Sequence, residues 1–397
     1  MTLDRRLGPA GDGLGTRRAA AAILSVTAAL LVPVPAHADR TRDDQWHLRF
    51  LHVAGAHRIS QGAGVTVAVV DSGVDLHRDL INNVLPGVDL WRGSGDGRTD
   101  ADGHGTLVAG LIAAHGRGSG EGALGMAPRA KILPVRYYDG TADPRPGSLA
   151  TGIRWAVGRG AHVICLSIGG GPNEAERAAV EAALAADVVV VAAVGNQPRD
   201  RVVQFPAAYP GVVAVAAIGR DGNIAPVSVG GDRVVIAAPG VDIVGTGDGE
   251  SYLRGTGTSG ATAIVAGAVA LIRSRYPDLS AAEVVHRITA TATDKGPRGR
   301  DSRYGYGVLD LLAALTEDIP PPGVGGPATS APPTAATTTA AARPGDGDGG
   351  DLDRRAVVGA AAVAALILGG LASRTRRRRA GGVANRRPGR GSRGRRW

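Results

Sequence analysis

The chain has 397 residues, a formal net charge of +9 and a single cysteine, Cys165. One cysteine excludes an intrachain disulfide, and its place in the apolar run 162–167 predicts a buried, inert thiol. Residues 374–397 contain eleven arginines and no acidic residue, so the excess positive charge belongs to this tail. The positive net charge of the chain therefore does not indicate a nucleic-acid site outside this tail.

The amino-terminal segment has the pattern of a secretory signal peptide. Arg17 and Arg18 precede the apolar run 19–34, and Ala36 and Ala38 give a small-x-small cleavage pattern. We predict a signal peptide over residues 1–38, with Sec export as the default and the paired arginines leaving Tat export open. Residues 39–61 then form a short extension, in which no large folding prodomain fits.

Two polar side chains follow the first buried elements. The β-branched run 65–70 predicts a strand covered on both faces, and Asp71 comes directly after it. His104 opens the helix-like run 107–114. Open α/β sheets place their sites at the carboxyl ends of strands, where an aspartate can hold a histidine ring in one tautomer and stabilise its charged form.

Two further segments complete this group of side chains. Residues 187–194 predict another buried strand, which runs into Gly195 and Asn196. Ser259 stands near a helix start, where unpaired N–H groups favour negative charge. A serine hydroxyl becomes a good nucleophile when a base removes its proton. The Asn196 amide and the Ser259 N–H can donate to the oxyanion that follows attack on a carbonyl.

Each residue also has an ordinary structural interpretation. An aspartate after a strand is usually a turn residue, a serine at a helix start is usually an N-cap, and a loop asparagine tolerates left-handed backbone. This interpretation does not account for the four residues together. It leaves unexplained their order in the chain, their positions at the ends of strands and the glycines beside them. His77 and His115, which we place in a polar segment and at a helix end, keep the structural interpretation.

Local signals predict several other elements. Asn173 can cap a helix over residues 174–186, and residues 212–217 and 233–237 have the composition of strands. Ser280 with Glu283 forms a capping box for a helix that continues to residue 290. The alternation of strands and helices is typical of an α/β domain.

In chain order these motifs resemble the subtilisin-like serine proteases. The resemblance covers residues 62–315 and rests on Val-Val-Asp-Ser-Gly-Val-Asp at 69–75, Asp-Gly-His-Gly-Thr at 102–106, Gly-Asn at 195–196 and Gly-Thr-Ser at 257–259. It implies an α/β three-layer sandwich with a mainly parallel sheet over residues 62–318. It also implies peptide-bond hydrolysis through an acyl-enzyme. The implied triad is Asp71, His104 and Ser259, with Asn196 in the oxyanion hole.

The same resemblance implies a substrate cleft. One wall would pair with extended substrate backbone, and the opposite side would line the primary specificity pocket. The residues implied are Ser167, Ile168 and Gly169 for the first wall, and Ala193, Val194 and Gly195 for the second.

Two positions depart from the family pattern. Gly260 stands where a larger apolar residue usually follows the nucleophile, and Ala263 replaces a proline. Glycine costs about 1 kcal/mol relative to alanine inside a helix. We therefore expect a looser wall behind Ser259.

The implied reaction requires no cofactor. The sequence shows no metal-ligand or phosphate-loop spacing, so we expect neither a metal nor a cofactor. With His104 as the base, we expect the rate to fall as the pH drops through a pKa of about 6–7.

The carboxyl end has the pattern of a membrane anchor. Residues 319–355 are rich in Pro, Thr, Ala and Gly, which predicts a flexible linker. Residues 356–373 are apolar or small and, at about 1.5 Å per residue, just long enough to span a thin hydrocarbon core. The arginines of residues 374–397 predict a cytoplasmic tail. We thus expect a single-pass protein of the cell membrane with its catalytic domain outside the cytoplasm.

This whole arrangement resembles the mycosins, membrane-anchored proteases of actinobacterial type VII secretion systems. The resemblance implies protein or peptide substrates, secretion-complex subunits as candidate partners, and no nucleic acid. Mycosins generally carry disulfides, which this chain lacks. Two functions stay open: an active endopeptidase that processes or supports a type VII secretion system, and a protease-like structural subunit with dispensable activity.

Overall fold

A seven-stranded sheet runs through the centre of the structure. The computed structural model describes residues 40–118, 120–140 and 147–320. The strand order is β2-β5-β1-β6-β7-β8-β9, and every neighbouring pair is parallel. Two antiparallel pairs, β3-β4 and β10-β11, lie beside it. The strands are β1 Thr66–Asp71, β2 Val88–Asp89, β3 His115–Arg117, β4 Glu121–Leu124, β5 Lys131–Arg136, β6 Val163–Leu166, β7 Val189–Ala193, β8 Val213–Ile218, β9 Ile236–Pro239, β10 Ile243–Thr246 and β11 Tyr252–Gly255.

Helices cover both faces of this sheet. They are α1 Thr41–Asp44, α2 Trp46–Phe50, α3 Val53–Ala56, α4 His104–Ala113, α5 Ser148–Gly158, α6 Glu174–Ala185, α7 Thr258–Arg275, α8 Ala281–Ala290 and α9 Leu311–Thr316, with one 3₁₀ turn at Ile81–Asn83. Helices α4 and α7 pack on one face, while α5 and α6 pack on the other. The result is the expected α/β sandwich.

Successive residues of β1 enter two different cores. Val67 and Val69 pack under α4 and α7, whereas Ala68 and Val70 pack under α5. Side chains alternate across a strand, so a strand between two helical layers must be apolar at every position. This explains why the run 65–70 lacks the polar alternation of a half-exposed strand.

Most local signals describe the observed elements well. Asn173 accepts a hydrogen bond from the Glu176 N–H, and Ser280 with Glu283 forms the capping box. Cys165 is buried in β6, and burial raises the pKa of its thiol to about 12. Three predictions need correction. The strand placed at 233–237 begins at Ile236, and the strand placed at 187–194 begins at Val189 and ends at Ala193. His115 begins β3 instead of ending a helix, since α4 stops at Ala113.

A close contact fixes α4 against the β10 strand. A Cβ atom added at Gly110 would lie 2.0 Å from the Thr246 hydroxyl oxygen, so only glycine allows this approach. The Thr246 hydroxyl in turn donates to the Thr106 carbonyl at 2.7 Å. These contacts set the position of the helix whose first residue is His104.

The extension before β1 is tied to the same region. The Gln45 amide nitrogen donates to the carbonyls of Leu124 and Val244 at 3.0 and 3.1 Å, and its oxygen accepts from the Leu124 N–H. The Trp46 indole donates to the Val241 carbonyl at 2.9 Å. Because these side chains are buried, the segment is part of the folded domain.

Four predicted segments lie outside the described residues. They are the signal peptide 1–38, nearly all of the linker 319–355, the span 356–373 and the tail 374–397. Among the residues that are described, no helix has both the length and the apolar character needed to cross a membrane.

We predict that His47 limits stability in acid. It is fully buried, neither ring nitrogen has a hydrogen-bond partner among the residues that the structure describes, and burial lowers its pKa from 6.5 to about 3. The folded state therefore holds the neutral ring, while the unfolded chain binds a proton below pH 6.5. The free energy of unfolding should fall by about 2 kcal/mol between pH 7 and pH 5 for this reason. Thermal unfolding of His47→Leu should lose much less stability over this interval than the wild type. The same change at the partly exposed His286 should leave the pH dependence unaltered; an unaltered dependence in His47→Leu would contradict the assignment.

Candidate active site

Four polar side chains lie at the carboxyl edge of the parallel sheet. Asp71 ends β1, Asn196 follows β7, and His104 and Ser259 stand in the first turns of α4 and α7. His104, Asn196 and Ser259 line one cavity of about 610 Å³, while Asp71 lies behind His104 and is 1% exposed. The structure thus brings together the four residues that the motifs selected.

A short hydrogen bond joins the first two of them. His104 Nδ1 lies 2.7 Å from Asp71 Oδ1, which also accepts from the Ser72 N–H at 2.8 Å. Because an ionised carboxylate only accepts, Nδ1 must carry the proton, and Nε2 of the neutral ring is left as a base. The aspartate therefore selects the tautomer.

The same carboxylate controls the pKa of His104. Burial alone would lower it, but the Asp71 charge and hydrogen bond, with smaller contributions from Asp102 and Asp100, raise it to about 9. The value of about 6–7 expected from the sequence is therefore too low. The reason is that the sequence gives no measure of how many carboxylates surround the ring.

Ser259 exchanges hydrogen bonds with the neighbouring wall. Its hydroxyl donates to the Ser167 carbonyl at 3.1 Å, and the Ser167 hydroxyl donates to the Ser259 carbonyl at 3.1 Å. The single hydroxyl proton of Ser259 is thus directed to Ser167 and not to His104. Catalytic hydrogen bonds commonly tighten only when substrate is bound.

The orientation of the Asn196 amide follows from its partner. Its oxygen accepts from the Thr258 N–H at 2.9 Å, and since that N–H can only donate, the amide is not reversed. Nδ2 is then the atom left to donate into the cavity. The Asn196 N–H donates to Asp200 at 2.7 Å, and Gly195 has a φ of +109°, which glycine adopts readily.

The predicted cleft residues divide into two groups. Ser167, Ile168 and Gly169 follow β6 and line the cavity. Ala193, Val194 and Gly195 are buried and are not part of its lining. His77 and His115 also lie outside it; His77 is buried and accepts from the Asp79 N–H at 3.0 Å.

Asp100 is a site residue that the motifs missed. One carboxylate oxygen accepts from the Ser72 hydroxyl at 2.8 Å, and the other accepts from the N–H and hydroxyl of Thr106 at 2.8 and 2.7 Å. The Ser72 oxygen also accepts from the Gly105 N–H at 3.0 Å. Asp100 thus joins the loop after β1 to the start of α4. The sequence does offer one signal for this role, since Asp100 is an acidic residue shortly before the start of α4, where such residues often accept hydrogen bonds from the first turn.

Tyr138 was also missed. Its hydroxyl lies 3.5 Å from Asp71 Oδ1, and its ring lines the cavity. Nothing near it in the sequence marks this contact, because Tyr138 reaches Asp71 from the segment that follows the neighbouring strand β5. In residues 40–118, 120–140 and 147–320, no group of three or more His, Cys, Asp or Glu residues could hold a metal ion.

Comparison with known proteins decides the family. The Peptidase S8 profile, described as the subtilase family, matches residues 62–307, more than half of the chain. The chain belongs to the subtilase family. A thermostable alkaline protease of Halalkalibacterium halodurans is 38% identical over 266 residues, covering 66% of this chain and 71% of the relative. Mycosin-1 of Mycobacterium tuberculosis is 37% identical, covering 70% of this chain and 74% of mycosin-1.

Solved structures agree with this assignment. MycP1 of Mycobacterium smegmatis superposes with a TM-score of 0.63 at 32% identity, covering 73% of this subtilase and 88% of MycP1. A MycP1 described as a serine protease and an essential component of the type VII (ESX-1) secretion system gives a TM-score of 0.63 at 35% identity, covering 72% and 90%. The subtilase is therefore a subtilisin-like serine peptidase with mycosin homologues, and the predictions of family and enzyme class are confirmed.

The electrostatics of His104 predict an alkaline pH–rate profile. A base must be unprotonated, and the neutral fraction of His104 grows as the pH rises through its pKa of about 9. We expect kcat/KM for a fluorogenic peptide to rise well above neutrality, with a midpoint above the ordinary histidine value of about 6.5. Asp102→Asn removes one of the raising charges and should move the midpoint to lower pH. A midpoint at or below 6.5 in the wild type would contradict the raised pKa.

Proposed function

We propose that this subtilase is an endopeptidase whose catalytic triad is Asp71, His104 and Ser259. The observation that supports it best is the 2.7 Å hydrogen bond from His104 Nδ1 to the buried Asp71 carboxylate. It lies at the edge of a cavity that His104 shares with Ser259 and Asn196. A merely structural role for these residues gives no reason for this juxtaposition.

The proposed reaction has two stages. The Ser259 oxygen attacks the scissile carbonyl carbon while His104 Nε2 takes the hydroxyl proton, and Asp71 stabilises the resulting imidazolium. The oxyanion accepts hydrogen bonds from Asn196 Nδ2 and the Ser259 N–H. His104 then gives its proton to the leaving nitrogen, and the C–N bond breaks to leave an acyl-enzyme. In the second stage, water deprotonated by His104 attacks the ester and releases the acid and Ser259.

The cleft assignment is part of the same proposal. Ser167, Ile168 and Gly169 leave β6 at the cavity wall, where their backbone can pair with an extended peptide. Ala193 ends the neighbouring strand β7, and Val194 and Gly195 follow it. These three residues would support the opposite side of the primary specificity pocket.

Ser259→Ala is the direct test of the triad. A fluorophosphonate probe should label the wild type and not the variant, and peptide cleavage should fall by on the order of 10⁶-fold. Thermal unfolding should change little, because only the hydrogen bond to Ser167 is lost. Ser251→Ala, which changes an exposed serine, should be labelled like the wild type. Equal labelling of Ser259→Ala would remove Ser259 from the proposal.

Asn196→Asp tests the oxyanion hole within the same experiment. The aspartate keeps an acceptor for the Thr258 N–H but replaces the Nδ2 donor with a charged oxygen. We expect kcat to fall by about 10²–10³-fold or more with the fold retained. An unchanged kcat would mean that the oxyanion binds elsewhere.

We further propose that the enzyme is anchored in the cell membrane and processes a protein substrate for, or supports, a type VII secretion system. One support for the proposal is the similarity to mycosins. The other is a set of four segments predicted from the sequence: the signal peptide 1–38, the linker 319–355, the span 356–373 and the basic tail 374–397. Candidate partners are subunits of such a system, and the catalytic domain would face away from the cytoplasm.

A topology experiment tests this arrangement. Exporting eleven arginines across the bilayer is disfavoured, since each costs several kcal/mol at its centre. Protease added to spheroplasts should therefore remove residues 62–318, while a tag placed after Trp397 stays protected until the cells are lysed. A tag accessible from outside, or full-length protein in the cytosolic fraction, would contradict the proposal.

A second candidate function is a structural subunit with dispensable activity. Two observations favour it. The Ser259 hydroxyl is hydrogen-bonded to Ser167. The pKa of His104 is raised to about 9, so little of its side chain is neutral near pH 7. Complementation of a deletion strain with Ser259→Ala distinguishes the two, because a structural subunit with dispensable activity would still support secretion, whereas a required peptidase would not.

A further inference from the structure

Asp200 binds both backbone polar groups of Asn196. Its Oδ2 atom accepts from the Asn196 N–H at 2.7 Å, and its own N–H donates to the Asn196 carbonyl at 2.9 Å. These two bonds close the turn 196–200, which lies beyond the end of β7 at Ala193. The N–H and the carbonyl of Asn196 are therefore held by Asp200 and not by a neighbouring strand.

The Asp200 side chain is turned inwards to make this contact. Asp200 is buried, whereas residues 197–199 before it are exposed. A buried carboxylate is costly unless hydrogen bonds replace its water. Gly195 leaves room for it, since a Cβ atom added there would lie 3.0 Å from Asp200 Oδ2 and 3.1 Å from Asp200 Cβ. The turn is thus built around this carboxylate.

Arg199 balances the charge of Asp200 from outside. It donates from Nε to Oδ1 and from Nη2 to Oδ2, both at 3.1 Å. Burial would raise the pKa of Asp200, but the bonds from Arg199 and the Asn196 N–H, with the Arg199 charge, lower it below its ordinary value. Asp200 is therefore ionised wherever a histidine base is neutral, and an ionised carboxylate only accepts. Because the Arg199 side chain is mostly exposed, solvent screens the ion pair, and the shielded bond to Asn196 is the stronger constraint.

The amide group of Asn196 is held from the opposite side. Its Oδ1 atom accepts from the Thr258 N–H at 2.9 Å, in the first turn of α7. Asp200 thus holds the backbone, Thr258 holds the amide oxygen, and Nδ2 is directed into the cavity. An oxyanion donor is effective only when it is already placed about 2.7–3.1 Å from the developing charge. A displaced Asn196 backbone would move Nδ2 out of this range.

We propose that Asp200 is a positioning residue of the oxyanion hole, which holds the backbone of Asn196 so that Nδ2 reaches the oxyanion. The inference rests on the proposed function, because it assigns the support of the same asparagine. Among the described residues, Asn196 lines the active-site cavity and Asp200 does not. Asp200 therefore acts through Asn196 and not on the substrate.

Asp200→Ala removes the acceptor for the Asn196 N–H. For the full-length protein and a peptide amide substrate, we expect kcat to fall by about 10–10²-fold, less than the 10²–10³-fold expected when a donor is lost outright. KM should change little, since the oxyanion forms only on the way to the transition state. Asp200→Asn keeps an oxygen acceptor and should recover most of kcat. End-point labelling with a fluorophosphonate counts the active enzyme in each preparation.

Two further variants guard against a purely structural effect. Asp310 accepts from the Ala313 N–H at 2.9 Å and is not part of the cavity lining, so Asp310→Ala loses the same kind of bond away from the site. It should lower the unfolding temperature and leave kcat unchanged. Asp200→Leu has a branched side chain of similar shape without an acceptor. It should be as slow as Asp200→Ala, and it decides the question if thermal unfolding shows that Asp200→Ala is not folded.

A double-mutant cycle shows whether Asp200 acts through Asn196. Asn196→Ala removes the Nδ2 donor, so no donor is left for Asp200 to position. In that background Asp200→Ala should lower kcat by less than about threefold, because two residues that act as a unit are not additive. A role in general stability would instead lower kcat by the same factor in both backgrounds.

The possible results separate this inference from the proposed function. A folded Asp200→Ala or Asp200→Leu variant with the kcat of the wild type overturns the role of Asp200 and leaves the triad standing. The same holds for equal losses in both backgrounds, or for a folded Asp200→Asn variant as slow as Asp200→Ala. An Asn196→Ala variant with unchanged kcat overturns the oxyanion hole, and a wild type that is not labelled overturns the triad; either result removes the role of Asp200 as well.

Discussion

The burial of the Asp71 carboxylate is the constraint on which the site depends. A charge at the end of a central strand, 1% exposed, is costly unless hydrogen bonds replace its water. The Ser72 N–H and His104 Nδ1 supply two of them, both to Oδ1, which requires that α4 begin with His104 facing β1. Asp100 helps to fix that start, because it joins Ser72 to Thr106. The strand, the loop and the helix are thus held in register by one buried charge.

This constraint also sets the electrostatic character of the reaction. The carboxylates that hold His104 make it a stronger base, but they also keep it protonated at neutral pH. In the proposed reaction, a higher pKa of His104 favours proton abstraction from Ser259 while reducing the fraction of enzyme able to perform it. In the proposed reaction the start of α7 acts in the opposite sense, because the N–H groups of its first turn favour negative charge on the oxyanion near Ser259. The site therefore places positive potential where charge develops and negative potential behind the base.

The sequence predicted the parts of this structure that depend on local pattern. The apolar runs at β1 and β7 and the capping box at Ser280 are encoded within a few residues, so they could be recognised directly. Contacts between segments that lie far apart in the sequence could not be recognised in this way. Asp187 was placed inside a strand, yet it has a φ of +59° and pairs with Arg273 of α7 at 2.9 Å. Tyr138 approaches Asp71 only because β5 lies beside β1 in the sheet.

Gly260 shows how the fold changes the meaning of a residue. From the sequence it is a weak helix former, at a cost of about 1 kcal/mol. In the structure every residue from Ala261 to Ile272 is buried, so α7 is stabilised by packing and not by the propensity of its first turn. The helix can therefore tolerate glycine at this position without losing its place in the core. Gly260 also lines the cavity next to Ser259, where an added Cβ would lie 3.5 Å from Ile243 Cγ1, so the absence of a side chain leaves that part of the cavity wall uncovered.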